Sequence, residues 1–431
     1  MNKITALLLA LFFAAPVFAK KVKDPYCFQG HYTDTSTYIW CMMPDKEAAG
    51  TTFTYGNASS GFQPVNGQLK FFNGMTYGHL RIGHLSPASS YELRRNGEKI
   101  LDFRTADTHK DSLDLLIGSC AMMTFGWQWM LRPKSHFPIY YHMAKEPSDA
   151  MLWMGDNLYF IMEANSDKKQ TKKYIRTRQV PEMVHFLQSM PQYAMWDDHD
   201  FGPNNSDGTF PYKHISFKNF NDFWANPAPV DSADGVYYSI SYPQADIFMM
   251  DNRFHAVSGQ RYFSDQQMQW LLGKLQQSDK PFKFIVTGCQ ANNKQTHHET
   301  LYSTGEYEKI ISYIRDQHIP GVIFINGDRH HTEIFRHQEE GIYPIYEFTN
   351  SPLTSIPTNI KRKNGEYNNP ARIKGVTKGQ VYGKISVYPS LKGDGSWVCR
   401  LATINRKGEL VWDVWIESSE LNWQPRVSIK K

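Results

Sequence analysis

The chain has 431 residues, of which 41% are hydrophobic and 21% are charged, and its formal net charge is +5. These values are typical of a folded protein with roughly two to three domains. The charge is small for this length, which argues against a dedicated nucleic-acid-binding module and is compatible with a mild attraction to anionic substrates.

Residues 1–19 are predicted to form a signal peptide. Met1-Asn2-Lys3 is a short basic segment, residues 4–13 are apolar, and Val17-Phe18-Ala19 has the small-residue pattern of a cleavage site. The apolar run is shorter than the ~20 residues that span a membrane. We therefore expect an exported protein, periplasmic or extracellular, with no integral membrane segment after signal removal.

Residues 20–106 are predicted to form a small all-β domain. Short alternating runs are separated by Gly, Asn and Pro turns, and residues 85–93 followed by Phe103-Arg104-Thr105 resemble the last strands of a fibronectin-III-like sandwich. The chain has five cysteines, so at least one thiol is unpaired. Cys27 and Cys41 flank a predicted hairpin and are a candidate disulfide pair.

After a polar linker, residues 111–431 alternate between strand and helix patterns and end in a β-hairpin pattern, which predicts an α/β layered domain. Several apolar strands run directly into polar loops. Those loops carry Cys120, Asp156, Asp198 with His199, Cys289 with Gln290, and Asp328 with His330. Because the carboxyl ends of strands in an open α/β sheet form one crevice, these side chains are predicted to meet.

The stretch at residues 196–205 holds three carboxylates, a histidine and two carboxamides directly after an apolar run. Carboxylates next to a buried strand need partners, and hard cations prefer oxygen ligands. Two cations bridged by a shared aspartate would clamp the phosphate of an ester and generate hydroxide near neutral pH. A neighbouring histidine could donate a proton to the leaving oxygen. The pattern predicts metal-dependent phosphoester hydrolysis.

Five sequence blocks also resemble, in order, those of the PhoD-like alkaline phosphatase D family of calcineurin-like metallophosphoesterases. The blocks are Gly118-Ser119-Cys120, Gly155-Asp156-Asn157-Leu158-Tyr159, Trp196-Asp197-Asp198-His199-Asp200 with Asn204, Asp251-Asn252-Arg253, and Gly327-Asp328-Arg329-His330. The resemblance implies a four-layer α/β/β/α metallophosphatase sandwich preceded by the small all-β domain. It also implies Fe³⁺ and Ca²⁺ as cofactors, with Zn²⁺, Mn²⁺ or Mg²⁺ as alternatives.

The resemblance assigns roles to individual residues. The implied metal ligands are Cys120 as a thiolate on iron, Asp156 as a bridging carboxylate, Asp198, Asp328, His330, and Tyr174 with Tyr159 as its rival. The implied catalytic residues are His199 at the scissile phosphate or leaving group, Asn204 at the phosphate or a metal, and Arg253. The last could clamp phosphate or pair with a structural carboxylate. Asp197 could be a ligand or a supporting residue, and His331 is expected to be a solvated loop histidine.

The implied activity is hydrolysis of phosphomonoesters, phosphodiesters or both. One alternative is a phospholipase D-like diesterase acting on lipid or polymer phosphates. Another is a non-catalytic surface-binding protein on a phosphatase scaffold, which the retained ligand set disfavours. The expected partner is a phosphate-ester substrate, and the sequence leaves the oligomeric state open.

Overall fold

A computed structural model describes residues 22–123, 137–230, 235–296, 298–359, 366–375 and 379–423. The predicted signal peptide at residues 1–19 lies outside these ranges. Within them, no helix combines the length and the apolar character that crossing a membrane requires.

The N-terminal part consists of strands and one short helix. The elements are β1 (Tyr26–Tyr32), β2 (Thr37–Pro44), α1 (Asp45–Ala48), β3 (Phe53–Asn57), β4 (Gly61–Val65), β5 (Gly67–Phe72), β6 (Met75–Ile82), β7 (Ser90–Arg95) and β8 (Glu98–Arg104). They form two four-stranded sheets in the orders β1-β2-β6-β5 and β4-β3-β7-β8. A disulfide joins Cys27 on β1 to Cys41 on β2, in the centre of a core shared by both sheets.

The remaining strands form two larger sheets. The six-stranded sheet has the order β11-β10-β9-β19-β20-β21 and the seven-stranded sheet the order β12-β13-β14-β15-β17-β16-β18. Their strands are β9 (Leu113–Gly118), β10 (Ala150–Met154), β11 (Gln192–Met195), β12 (Tyr238–Ser241), β13 (Ala245–Met249), β14 (Phe282–Thr287), β15 (Val322–Asn326), β16 (Thr332–His337), β17 (Ile345–Asn350), β18 (Arg372–Gly375), β19 (Val381–Pro389), β20 (Trp397–Asn405) and β21 (Leu410–Glu417).

Helices cover the outer faces of both sheets. The helices are α2 (Pro138–Met143), α3 (Asp167–Thr177), α4 (Pro181–Leu187), α5 (Asp198–Phe201), α6 (Lys213–Phe223), α7 (Asp265–Gln277) and α8 (Glu306–Asp316). Single 3₁₀ turns lie at Leu301–Thr304, Glu366–Asn368 and Ser418–Leu421. On β9, Leu115 and Ile117 belong to the core between the sheets, whereas Leu116 faces the other way and belongs to the core that includes residues of α2, α3, α4 and α6. The predicted four-layer α/β/β/α fold is confirmed.

The N-terminal sheets share an aromatic core with the helix layer. The guanidinium of Arg178 lies 5.4 Å from the ring centroid of Phe28, 5.7 Å from that of Trp40 and 4.1 Å from that of Trp224. The indole N–H of Trp40 donates to the carbonyl oxygen of Asp222 at 2.9 Å. Phe28 and Trp40 belong to the N-terminal sheets, and Trp224 follows α6. The N-terminal sheets therefore pack against the helix layer that covers β9–β11.

The carboxyl ends of β9, β10, β11, β14 and β15 meet at one edge of the sandwich. In the six-stranded sheet β9, β10 and β11 run parallel to one another, and in the seven-stranded sheet β14 and β15 run parallel. Directly after β15, a Cβ added to Gly327 would lie 2.6 Å from the carbonyl oxygen of Met154 and 2.8 Å from Oγ of Ser119. Only glycine permits this approach, which brings the loops of both sheets together.

Candidate metal centre

Three overlapping groups of metal-ligating side chains lie at this edge. They are Cys120 with Asp156 and His330, Asp156 with Asp198 and His199, and Asp197 with Asp198 and Asp328. Within each group the ligand atoms lie within 4.8 Å of one another. Asp156 and Asp198 each belong to two of these groups, so the three groups form one connected cluster that can hold more than one cation.

The backbone turns sharply where these side chains leave their strands. Cys120 has a φ of 60°, Asp156 of 55°, Asp328 of 62° and His330 of 55°. Non-glycine residues seldom adopt this left-handed conformation, and each such residue costs of order 1–3 kcal/mol. These turns direct the side chains at the strand ends toward a common centre. The surrounding packing has to compensate for the backbone strain.

Burial and mutual repulsion dominate the electrostatics of the carboxylates. Burial raises the pKa of Asp156, and the neighbouring charge of Asp198 raises it further. Burial also raises the pKa of Asp197, although Arg253 opposes this. The pKa of Asp198 is lowered despite burial, because Arg253 and His199 favour its charged form. Burial and the charge of Asp198 thus disfavour the charged form of Asp156, and a nearby cation would favour it.

The donor set fits metal ions. Two buried carboxylate oxygens of the cluster have no hydrogen-bond partner, namely Oδ1 of Asp198 and Oδ2 of Asp197. Buried acceptors without partners are costly, and a cation would satisfy them. Burial raises the pKa of the Cys120 thiol, as do the charges of Asp156 and then Asp328, so this side chain needs a nearby positive charge to become a thiolate ligand.

His330 is oriented by the chain around it. Its Nδ1 lies 2.9 Å from the carbonyl oxygen of Ile356, which can only accept, so Nδ1 carries the proton. The lone pair of Nε2 then faces Tyr159, whose hydroxyl lies 3.2 Å away and also accepts a hydrogen bond from Ser355 at 3.0 Å. The ring of Tyr159 packs on His199 with centroids 4.2 Å apart. Tyr159 is therefore part of the cluster.

Tyr174 lies elsewhere. Its ring stacks on Phe223 with centroids 4.6 Å apart and contacts Phe160, within the aromatic core under the helices. Its hydroxyl is buried without a hydrogen-bond partner. Of the two tyrosines considered from the sequence, the structure brings Tyr159 to the cluster, and this corrects the preference for Tyr174.

Asn204 is exposed at the surface, whereas its neighbour contacts the cluster. The backbone N–H of Asn205 donates to Oδ2 of Asp198 at 2.6 Å, and Asn205 itself has a φ of 60°. The role expected of Asn204 therefore has no support in the geometry, and a backbone amide takes its place beside Asp198.

Asp200 supports the site from behind. Its carboxylate accepts from the backbone N–H of Asp197 at 3.1 Å and from that of Asn157 at 3.0 Å. Burial raises its pKa to about 7, although these backbone donors oppose the rise. Asp200 thereby joins the loop after β10 to the start of α5, which fixes Asp156 relative to Asp198.

Arg253 pairs with two carboxylates. Its Nε donates to Oδ1 of Asp197 at 2.5 Å, and its Nη2 lies 2.6 Å from Oε2 of Glu299. The arginine side chain is only 2% exposed. A Cβ on Gly288 would lie 2.5 Å from the Asp197 carboxylate, so the pair is also tightly enclosed. This favours the structural-pair interpretation of Arg253 over the phosphate clamp. Glu299 gave no signal in the sequence, since it follows no strand.

His331 is buried, so the expectation of a solvated histidine was wrong. Its Nε2 lies 2.8 Å from Oε1 of Glu333, and its Nδ1 lies 2.9 Å from the carbonyl oxygen of Arg329. Glu333 also accepts from Arg372 at 2.7 Å and from Gln290 at 2.7 Å. This buried network holds the loop that carries Asp328 and His330 against the loop after β14.

Glu333 makes the stability of the fold depend on pH. Burial raises its pKa, but the charge of His331, their hydrogen bond and the charge of Arg372 outweigh burial and lower the pKa from 4.5 to about 2. Its contribution is therefore present above about pH 4.5 and is lost as the pH falls toward 2. Glu333→Gln should cost about 3 kcal/mol at pH 6. It should also flatten the decline in urea-measured stability between pH 5 and 3, by the linkage just given. The exposed Glu98→Gln should change neither quantity, and an unaltered decline in Glu333→Gln would contradict the assignment.

Two sheets between helix layers, with metal-ligating side chains at the strand ends, define a metallophosphoesterase fold. The family model of the PhoD-like phosphatases matches residues 115–385, so the chain belongs to this family and is a phosphoesterase. No curated protein matches the sequence.

Two solved structures are similar over nearly the whole chain. A structure titled as that of PhoD has a TM-score of 0.70 at 14% identity and covers 92% of this chain and 94% of its own. A purple acid phosphatase, PPD1, isolated from yellow lupin (Lupinus luteus) seeds has a TM-score of 0.66 at 11% identity, covering 95% and 78%. At these identities the two structures show the shared fold.

Proposed function

We propose that the chain is an exported enzyme that hydrolyses phosphomonoesters, phosphodiesters or both with the help of at least two metal ions. The observation that carries the proposal is the sharing of Asp156 and of Asp198 between neighbouring ligand groups. Export is supported by the signal-peptide pattern of residues 1–19. A non-catalytic scaffold would have no need to hold four candidate ligands in strained backbone conformations, two of them buried.

The two ends of the cluster suit different ions. Cys120, His330 and Tyr159 offer sulfur, nitrogen and phenolate donors, and this set suits ferric iron with Asp156 as a bridge. Asp198 and Asp328 offer only oxygen, which suits calcium. Family resemblance supports the same pair of metals.

Hydrolysis forms a bond between a water oxygen and phosphorus and breaks the ester P–O bond, and the alcohol leaves with a proton. Bound cations would neutralise the phosphate oxygens and acidify the attacking water. His199 is suited to supply the proton, because it is half-buried beside the candidate ligands and its ring is fixed against Tyr159. The backbone N–H of Asn205 keeps Asp198 oriented.

His199→Ala separates a proton donor from a ligand. We expect the variant to retain its metal while kcat falls by about a hundredfold or more, the usual contribution of a general acid. Metal analysis and steady-state kinetics on the same samples measure both quantities. His185→Ala, at an exposed position on α4, should behave like the wild type. Loss of metal from His199→Ala would make His199 a ligand.

Tyr159→Phe and Tyr174→Phe form a matched pair that identifies the tyrosine ligand. Each change removes one hydroxyl, and only Tyr159→Phe should lower the bound metal, because its hydroxyl lies among the ligands. The hydroxyl of Tyr174 has no partner, so its removal should leave stability and metal content nearly unchanged. The opposite result would restore Tyr174 as the ligand.

The proposed function is tested with an aryl phosphate and a bis-aryl phosphate, each with and without a chelator. We expect hydrolysis that the chelator removes and added metal restores. The ratio of the two rates separates a monoesterase from a diesterase. If neither substrate is hydrolysed in a metal-dependent way, the enzyme proposal fails.

A further inference from the structure

Three large apolar side chains are exposed beside the candidate metal centre. Ile161 is 47% exposed, Met162 is 81% exposed and Ile356 is 54% exposed. Single exposed apolar residues are common on protein surfaces, but a group of them beside a site indicates a binding surface. We refer to these three residues as the apolar rim.

The rim belongs to two chain segments that both contact His330. In the first segment, the Tyr159 hydroxyl lies 3.2 Å from Nε2 of His330, and the backbone N–H of Phe160 donates to the carbonyl oxygen of His199 at 3.0 Å. In the second, the carbonyl oxygen of Ile356 lies 2.9 Å from Nδ1 of His330, and the backbone N–H of Thr358 donates to its carbonyl oxygen at 2.7 Å. The rim residues therefore flank the cluster at His330.

The exposed turn of the first segment is anchored. The carboxylate of Glu163 accepts hydrogen bonds from the backbone N–H of Ile161 at 2.9 Å and of Met162 at 3.0 Å. The same carboxylate lies 3.7 Å from Nζ of Lys173, a side chain that is 5% exposed. Residues 159–162 and 355–358 contain no charged side chain. The chain thus holds an uncharged, apolar surface in place next to a strongly polar site.

We propose that the apolar rim binds an alkyl or aryl group of the phosphate-ester substrate while the phosphate occupies the metal centre. This inference rests on the proposed function and narrows its substrate class to phosphoesters with apolar organic groups, in preference to sugar phosphates. A hydrocarbon group next to the phosphate would cover side chains that are otherwise in water, and each methylene removed from water strengthens binding.

Binding is tested without turnover by calorimetry of methylphosphonate and octylphosphonate on the metal-loaded protein. Octylphosphonate should bind at least about tenfold more tightly, since fully burying two methylenes already accounts for that factor. Met162→Ser and Ile161→Ser should each lower the ratio of the two affinities by about threefold and leave methylphosphonate binding unchanged. Leu391→Ser, fully exposed in the turn between β19 and β20 at the opposite end of β9, should leave the ratio unchanged. Equal affinity for the two phosphonates, or a ratio that the rim variants do not alter, would overturn the proposal.

Turnover of p-nitrophenyl phosphodiesters, with methyl or octyl as the second ester group, tests this inference separately from the proposed function. The leaving group is constant, so the ratio of kcat/KM values reports the apolar group alone. If octylphosphonate binding depends on the rim but no ester is hydrolysed, the binding role of the rim is supported and the proposed function is contradicted. If the enzyme is active but kcat/KM is equal for the two esters, the proposed function is supported and the binding role of the rim is contradicted.

Discussion

Asp156→Asn is expected to lower kcat/KM for a phosphate ester by about a thousandfold or more and to deplete the bound metal. The carboxylate of Asp156 lies in two of the three ligand groups, so its loss affects both ends of the cluster. An amide offers one neutral oxygen in place of a charged bridge, and metal-based charge stabilisation accounts for several kcal/mol of the reaction barrier. Elemental analysis and kinetics of the purified variant check both expectations.

Asp149→Asn is the matched control at the other end of the same strand. Asp149 directly precedes β10, at the opposite end from Asp156, and is also buried. Its carboxylate accepts from Lys110 at 2.7 Å and from the backbone N–H of Asp114 at 2.9 Å. The control should lose some stability and keep its metal and its rate. If Asp156→Asn keeps both metal and rate as well, the shared-ligand interpretation of Asp156 fails.

The layered fold and the chemistry of the site follow from one local pattern. Each apolar run ending in a polar loop predicted a buried strand with a candidate ligand at its carboxyl end. The structure brings six of those side chains together, namely Cys120, Asp156, Asp198, His199, Asp328 and His330. The pattern is informative because the burial of a strand and the polarity of the loop after it both depend on consecutive residues of the sequence.

The residues whose roles the sequence left open or misassigned depend on contacts that no local pattern contains. Tyr159 and Tyr174 are both buried, and only the turn after β10 decides which hydroxyl reaches His330. Arg253 meets Glu299 across 46 residues of sequence. His331 is buried because Glu333 and Arg372 enclose it, although it follows a polar loop. Side-chain direction and long-range pairing are tertiary properties, so the sequence alone could not fix them.

Arg253→Met should destabilise the protein by about 3–5 kcal/mol, because it leaves Asp197 buried without its counter-charge. Nε of the arginine is the donor closest to that carboxylate, and Asn252 contributes a second hydrogen bond at 3.1 Å. Urea unfolding with and without metal measures the cost. Added metal should recover part of the loss, because a cation beside Asp197 and Asp198 substitutes for the missing positive charge.

Arg336→Met provides the contrast between a buried and an exposed pair. Arg336 pairs with Glu420 at 3.2 Å, and the two side chains are 37% and 32% exposed, so its loss should cost about 1 kcal/mol or less. A phosphate clamp at Arg253 makes a different prediction, since a clamp raises KM for the ester while stability stays near that of the wild type. A large loss of unfolding free energy in Arg253→Met, far above that of Arg336→Met, would identify Arg253 as the residue that positions Asp197. Small and equal losses of unfolding free energy in the two variants, together with a raised KM in Arg253→Met, would instead support the phosphate clamp.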